Sequence, residues 1–357
     1  MKMKASVGIV GTGFIAQMRH LPAYLSEPLV KVQAICDVDY RRAQRIAKIH
    51  NIPHFYRSLR EMLSKESPDI VDICSPASTH APFAIEALKH GANVIVEKPM
   101  AMDFPSARQV YEVARASKKK FTVVQNYRFT DEYKVLKTAV MTRKLGTVDL
   151  LYCFFDFPSV DFNDQFLPHY KYGILFETGI HDVDIVRDLV GDVVSARAIM
   201  LRKSPDGQAR SLVSILEHTN NEVSVLRLSF TAATLAHRLQ VNGSKIRALL
   251  DFEAGSLAFE KMFRLSSLKE QTCFVTREIS GVFQKLKKHY SNMIWRDMTG
   301  FGGLRPFRDI IHKFVIAVLE DTEPPITLEE AYTNMKILEA CRSSLETGQN
   351  KRISDIM

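Results

Sequence analysis

Ala5-Ser6-Val7-Gly8-Ile9-Val10-Gly11-Thr12-Gly13-Phe14-Ile15-Ala16 is the stretch that decides the fold of this chain. A short apolar run ends in Gly11-x-Gly13-x-x-Ala16, and a helical pattern follows to about Leu25. A strand that enters a helix through such a turn is the context a phosphate-binding fingerprint demands. Gly11 permits the tight turn, Gly13 lets backbone approach a pyrophosphate, and Ala16 lets helix and strand pack closely. The helix N-terminus adds unpaired N–H groups and positive dipole. The same spacing also occurs in turns that are only structural. Asp37 weighs against that alternative, because it closes the next apolar run, Val30–Cys36, 24 residues past Gly13. A carboxylate there reaches the ribose hydroxyls of a dinucleotide. It would repel a 2′-phosphate, which favours NAD over NADP, although Arg41 and Arg42 soften the preference.

Outward from this stretch, two periodicities alternate. Apolar runs at Ile70–Cys74, Asn93–Val96 and Phe121–Gln125 are separated by helical patterns at Tyr40–His50, Thr79–His90 and Phe104–Ser117, with a short helix near Ser58–Leu63. Strand and helix in this order imply right-handed crossovers and a doubly wound parallel sheet, with strands apolar throughout because helices cover both faces. After residue 130 the pattern changes. Helices are expected at 131–144 and 177–190, a strand at 148–157, and strands near 193–202, 210–218, 222–230, 235–242 and 246–252 with short polar links. Hairpin-length links argue for a largely antiparallel sheet. Helices over 305–320 and 327–347 close the chain. The expected architecture is α/β plus α+β: an N-terminal Rossmann domain over residues 1–126, then a C-terminal α+β domain over 127–357 built on an open, largely antiparallel sheet.

Composition narrows the class. The 357 residues are 46% hydrophobic and 25% charged, ordinary for a globular chain long enough for two sizeable cores. The five cysteines lie far apart with no C-x-x-C pair, which predicts reduced thiols in a cytoplasmic protein and no zinc site. No apolar run approaches the ~20 residues of a membrane span. The start Met1-Lys2-Met3-Lys4 reads as the approach to a buried strand rather than a signal peptide. Most of the net charge of +8 comes from residues 261–313, where eleven Lys/Arg face four Asp/Glu. Such a segment suits an anionic small molecule; without a helix-turn-helix, zinc-finger or RNP signature, nucleic acid is not the expected partner.

Other candidate residues sit where open α/β sheets place ligands. Glu97-Lys98-Pro99 follows the fourth apolar run, and Pro99 restricts the backbone of Lys98, so the lysine projects from a fixed turn. Ser75-Pro76 ends the third run at the same edge, with Thr79 and His80 opening the next helix. Glu177 and His181 are four apart, with Asp184 three further on. On one helix face a carboxylate one turn from an imidazole can orient it for proton transfer, or the two can form an ordinary solvated pair. Asp184 is expected to pair with Arg187 or to pack structurally. No third ligand accompanies Glu177 and His181, so no metal is expected there.

Together these residues resemble the glucose–fructose oxidoreductase, inositol dehydrogenase and rhizopine catabolism family, written Gfo/Idh/MocA. The most specific stretch is Asp72-Ile73-Cys74-Ser75-Pro76-Ala77-Ser78-Thr79-His80, continued by Ala87-Leu88-Lys89-His90-Gly91 and Val94-Ile95-Val96-Glu97-Lys98-Pro99. Asn126-Tyr127-Arg128-Phe129 is similar to the segment leaving the family's fifth strand, and Glu177–Asp184 to its D-x-G-x-H-x-x-D helix. The resemblance implies a dinucleotide held by Gly11, Thr12, Gly13, Phe14, Ile15, Asp37, Arg42, Ser75, Pro76, Thr79, His80, Glu97, Lys98 and Asn126. It implies that Lys98 bonds the reacting oxygen, that His181 moves the proton, and that Glu177 is the carboxylate partner of His181. The family usually carries Asp at position 177 and often Asn at position 77, where this chain has Glu177 and Ala77.

The leading expectation is an oxidoreductase that uses NAD, or NADP as the alternative. It would act on a secondary alcohol or ketone of a sugar, cyclitol or nucleotide sugar, as a homodimer or homotetramer. The alternatives are a dinucleotide-binding sensor or co-regulator without turnover, and a glycoside hydrolase that recycles tightly held NAD.

Overall fold

A computed structural model describes residues 4–158, 171–261 and 303–356. Of the basic segment expected over 261–313, residues 262–302, including Cys273, Trp295 and Arg296, lie outside the described residues.

The first sheet contains β1 (Ala5–Val10), β2 (Val30–Cys36), β3 (His54–Tyr56), β4 (Ile70–Ile73), β5 (Asn93–Val96) and β6 (Phe121–Val123). Its order is β3-β2-β1-β4-β5-β6, with every pair parallel. Val7, Ile9, Ile35, Ile70, Ile73, Val94 and Ile95 are fully enclosed, and each buried side chain of this size contributes about 1.5–3 kcal/mol of transfer free energy. The chain runs outward from β1 through β2 to β3, then crosses back to β4 on the other side of β1, so the carboxyl ends of β1 and β4 flank the crevice where such sheets bind ligands.

Polar caps start the flanking helices. Asp39 accepts from the Arg42 N–H to open α2 (Tyr40–His50), Ser58 opens α3 (Leu59–Glu66), and Asp103 opens α5 (Phe104–Ser117). The helix leaving the Gly11–Ala16 turn has a wider π geometry over Ala16–His20 before continuing as α1 (Leu21–Leu25). Between α3 and α5, α4 (His80–Lys89) joins β4 to β5.

The second half begins with α6 (Asp131–Met141) and β7 (Val148–Pro158), followed by α7 (Gly173–Glu177) and α8 (Gly179–Val190). The strands β8 (Val193–Lys203), β9 (Ala209–His218), β10 (Val223–Ala232), β11 (Ala236–Gly243), β12 (Ile246–Asp251) and β13 (Ser256–Lys261) come next. The chain then forms α9 (Arg305–Leu319), α10 (Leu328–Thr347) and the short β14 (Lys351–Arg352). The sheet order is β13-β12-β11-β7-β10-β9-β8-β14. It is largely antiparallel, as expected, but β10 joins β7 in parallel at its centre.

Period-two alternation sends Leu151, Cys153, Phe155, Leu226 and Leu228 inward, where they are buried beneath α7, α8 and α10. The register carries Ile199, Val213, Ile215, Val225, Tyr152 and Phe154 to the opposite face, where they are exposed or half-buried. A full capping box at Thr327 and Glu330 starts α10. This helix also packs against the first half: Tyr332 stacks on Tyr111 and Phe104, and the Thr122 hydroxyl donates to the Ile326 carbonyl at 2.8 Å. The C-terminal segment therefore braces both sheets. Among the described residues, no helix is long and apolar enough to cross a membrane.

Candidate active site

The Gly11–Ala16 turn is locked to both neighbouring strand ends. Gly11 has φ +85°, and a Cβ added there would lie 2.8 Å from the Ser75 backbone nitrogen. Only glycine meets both conditions without strain. A Cβ on Gly13 would meet nothing within 4 Å, Phe14 is exposed, Ile15 packs against the core, and Ala16 is fully buried under the helix. The outer side of the turn is thus open and its inner side closed, which fits the approach of a pyrophosphate.

Asp37 closes β2 beside this turn. Its Oδ2 accepts from the Thr12 N–H and hydroxyl, each at 2.8 Å, and from Arg42 Nε at 3.1 Å. Its Oδ1 accepts from the Asp39 N–H at 2.8 Å and from Arg42 Nη2 at 2.7 Å. Burial alone would raise the Asp37 pKa, but the hydrogen bonds from Arg42, Thr12 and Asp39 bring it below the ordinary carboxylate value. Arg42 is therefore the ion-pair partner of Asp37, a relation that two neighbouring charges in a sequence do not reveal.

The third and fourth strand ends form the opposite wall. The Ser75 and Thr79 hydroxyls bond to each other at 2.6 Å, and Thr79 also donates to the Pro76 carbonyl. His80 is buried, with one ring nitrogen 2.7 Å from the Pro99 carbonyl oxygen and the other 2.7 Å from that of Ser75. It props the two loops apart rather than offering a free polar atom. Asn126 is buried in the turn after β6.

Lys98 and Glu177 connect the two halves of the molecule. Lys98 Nζ donates to the Glu177 carbonyl at 2.9 Å and to its Oε2 at 3.3 Å, with side chains 26% and 27% exposed. The Lys98–Pro99 peptide is cis. Behind the lysine, Glu97 Oε2 accepts the Lys98 N–H at 3.1 Å.

The continuous helix expected over 177–190 is interrupted at Thr178, between α7 and α8. Gly179 begins α8 where an added Cβ would lie 2.9 Å from Leu228 Cδ1. Tight packing on the sheet accounts for glycine here. The Glu177 carboxylate meets Lys98, and no hydrogen bond links it to His181 among the described residues.

His181 is buried against Tyr127, edge-on with ring centroids 4.9 Å apart, and its Nδ1 has no hydrogen-bond partner among the described residues. Burial, then the charge of Lys98 and the neighbouring His237, hold its pKa well below the ordinary value of 6.5. The imidazole is therefore neutral and able to accept a proton. His237 lies sandwiched between Phe155 and Phe252 and bonds Asp182 Oδ1 at 2.8 Å.

Asp184 is paired with Arg128, not with Arg187. Arg128 Nε and Nη2 each reach its carboxylate at 2.6 Å, and Arg128 also meets Asp188 and Glu330. Arg187 instead bonds Asp192 and Asn334. Arg128 belongs to a motif noticed in the sequence, but its partners lie 56 to 202 residues away.

Two buried groups of potential metal ligands occur among the described residues, His20–Asp72–Cys74 and Cys153–Asp182–His237. In both, an imidazole nitrogen is already hydrogen-bonded to the carboxylate.

A parallel sheet with a glycine turn at its switch point and a lysine at the end of its fifth strand, met by a carboxylate and a neutral imidazole from helices on a second sheet, defines a dinucleotide-dependent enzyme scaffold. Residues 5–125 match the oxidoreductase family of NAD-binding Rossmann fold, and residues 133–249 match the GFO/IDH/MocA C-terminal domain. The chain belongs to this family. It is 25% identical over 255 residues to inositol 2-dehydrogenase of Rhizobium meliloti, covering 68% of this chain and 74% of that enzyme. It is 27% identical over 226 residues to D-apiose dehydrogenase of Paraburkholderia graminis, covering 63% and 60%. The fold is similar to that of the WlbA dehydrogenase from Bordetella pertussis, solved with NADH and UDP-GlcNAcA, with TM-score 0.80, 17% identity, and 99% and 98% of the two chains covered.

Proposed function

We propose that this protein is a nicotinamide-dependent dehydrogenase or reductase acting on a secondary alcohol or ketone of a sugar, cyclitol or nucleotide sugar. The observation that carries the reading is the meeting of Lys98 Nζ with Glu177 across the two halves, beside a buried neutral His181. A cation and an unprotonated base are the two groups that oxidation of an alcohol requires from the protein.

The roles follow from charge and position. Lys98 hydrogen-bonds the reacting oxygen and stabilises negative charge developing on it. His181 takes the hydroxyl proton in oxidation and returns it in reduction. Glu177 holds the Lys98 ammonium in place. The dinucleotide, which supplies or accepts hydride when bound, is held by Gly11, Thr12, Gly13, Phe14, Ile15 and Asp37 on one side, and by Ser75, Pro76, Thr79 and Asn126 on the other, with His80 and Glu97 bracing that wall and Lys98 directed to the reacting oxygen. Arg42 supports this site through Asp37. Because the Arg42 guanidinium is neutralised by Asp37, it offers little to a 2′-phosphate, and NAD is preferred over NADP.

The positive surplus of residues 261–313 favours an anionic substrate such as a nucleotide sugar. Replacing three of those cations should weaken substrate binding and its salt sensitivity; unchanged values of both would remove the anionic-substrate proposal. A second copy of the chain would cover the apolar outer face of the second sheet, giving a dimer or tetramer. Tyr152→Glu should then shift the sedimentation coefficient toward the monomer.

Mixing the protein with NAD and a panel of polyols, free sugars and nucleotide sugars tests the reading through reduced-nicotinamide absorbance. A signal with one substrate class supports it. Glycoside cleavage without net NADH favours the recycling hydrolase, and dinucleotide binding without turnover favours a sensor.

A further inference from the structure

His20 lies one helical turn beyond the glycine-rich turn and is fully buried. Its Nδ1 is 2.7 Å from Asp72 Oδ2 and its Nε2 is 2.9 Å from Glu97 Oε1. The Phe307 ring of α9 packs edge-on against it at 5.5 Å. A neutral imidazole has one N–H and can donate to one carboxylate only; two carboxylates on its two nitrogens require both to be donors. His20 is thus an imidazolium, consistent with a pKa held well above its ordinary value: burial opposes the charge, but Asp72 and Cys74 outweigh it.

Glu97 passes this contact on. One carboxylate oxygen takes the His20 ring and the other takes the Lys98 N–H. Asp72, His20 and Glu97 therefore form a chain from β4, through the helix that follows the dinucleotide turn, to the backbone of Lys98. We propose that His20 is a positioning residue that ties the Lys98 turn to the dinucleotide-binding helix through Glu97, fixing the lysine relative to the bound nicotinamide. This rests on the dehydrogenase reading of Lys98. It concerns a residue that does not touch substrate.

The geometry makes a specific demand. Both Glu97 oxygens act as acceptors, so Glu97→Leu removes both links at once. Glu97→Gln can keep them, because a neutral His20 then donates from Nδ1 to Asp72 and accepts the new amide N–H at Nε2. In His20→Gln the new amide N–H donates to Asp72 and its carbonyl is left facing the Glu97 carboxylate. In the double glutamine variant the two new amides can run in series. The amide at position 20 donates to Asp72, and its carbonyl accepts from the amide at position 97. The carbonyl at position 97 then accepts the Lys98 N–H. His20→Gln and Glu97→Leu should fail, and the double glutamine variant should recover.

The test measures kcat per bound NADH, with bound NADH titrated by fluorescence, for wild type, H20Q, E97L, E97Q, H20Q/E97Q and K98M on an alcohol that the wild type oxidises. H20Q and E97L should each lose about 100-fold in kcat with the NADH Kd changed less than about threefold. E97Q should stay within about tenfold of wild type, and H20Q/E97Q should regain about tenfold or more over H20Q. A purely structural role would reduce thermal stability and the amount of NADH bound, leaving kcat per bound NADH at the wild-type value in H20Q and E97L. That result overturns the proposal, as does an E97Q variant that loses as much as E97L, and E97L carries the test if H20Q does not fold. An inactive K98M beside fully active H20Q and E97L refutes the positioning role alone. A fully active K98M, or no turnover on any alcohol of the panel, refutes the dehydrogenase reading and the positioning role with it.

Discussion

Lys98 Nζ donates to both the main-chain carbonyl and the carboxylate of Glu177, at 2.9 and 3.3 Å, although the lysine follows a strand of the first sheet and the glutamate ends a helix packed on the second. The pair fixes the free end of the lysine while the Glu97 carboxylate fixes its backbone. Both side chains are partly exposed, so the ion pair itself is worth only about 0–1 kcal/mol of stability. Glu177→Gln should leave the unfolding midpoint nearly unchanged and lower kcat by about tenfold or more, because the ammonium loses its placement. Steady-state kinetics beside a urea titration separate the two effects.

The Arg128 network predicts the opposite balance. Its guanidinium is almost fully buried and bonds Asp184, Asp188 and Glu330. Arg128→Met leaves the buried Asp184 with the Asn334 amide but no cation, and breaking a buried pair this way costs about 3–5 kcal/mol. Urea unfolding should register that loss. Asp184→Asn, which keeps a carbonyl acceptor for Arg128, should cost less.

His181 sets a pH dependence in a defined direction. Its folded pKa lies well below the ordinary 6.5, so the imidazole stays neutral through the neutral range. Alcohol oxidation should therefore keep its rate as pH falls to 6.5 and lose it only further down, in a profile of kcat/KM against pH. Below its unfolded pKa, His181 binds its proton more readily in the unfolded chain. Its contribution to stability is therefore lost as pH falls below that value, and His181→Gln should flatten this part of the stability profile.

The crowded carboxylate of Asp37 governs the choice of cofactor. Asp37→Ser removes the like charge and frees Arg42 to meet a 2′-phosphate. The ratio of kcat/KM for NADP over NAD should rise by about tenfold or more, equivalent to about 1.4 kcal/mol. Initial rates with each cofactor decide it; an unchanged ratio means the carboxylate does not face the ribose.

Much of this architecture is legible in the chain. The strands Ala5–Val10, Val30–Cys36 and Asn93–Val96 and the helix Phe104–Ser117 coincide with the expected ranges, because continuous apolar runs and amphipathic periodicity are local signals. The three-residue edge strand His54–Tyr56 is too short to carry such a signal. The parallel join of β7 and β10 is set by tertiary packing across many residues, and no hairpin pattern announces it. The site divides in the same way. Gly11, Asp37 and Lys98 stand at strand ends and can be found from spacing. The partners of Asp184, and the burial of His20 between Asp72 and Glu97, depend on contacts 52 to 150 residues apart. The break at Thr178 escapes a period count because the residues on both sides remain helical.

The central claim is that Lys98 stabilises charge on the reacting oxygen while His181 carries the proton. Its most direct test is the single-turnover rate of reduced-nicotinamide formation at saturating NAD and alcohol, comparing wild type with Lys98→Met. The variant should bind NAD with wild-type affinity and lose at least about 100-fold in the chemical step. A Lys98→Met protein that reduces NAD at the wild-type rate would contradict the claim.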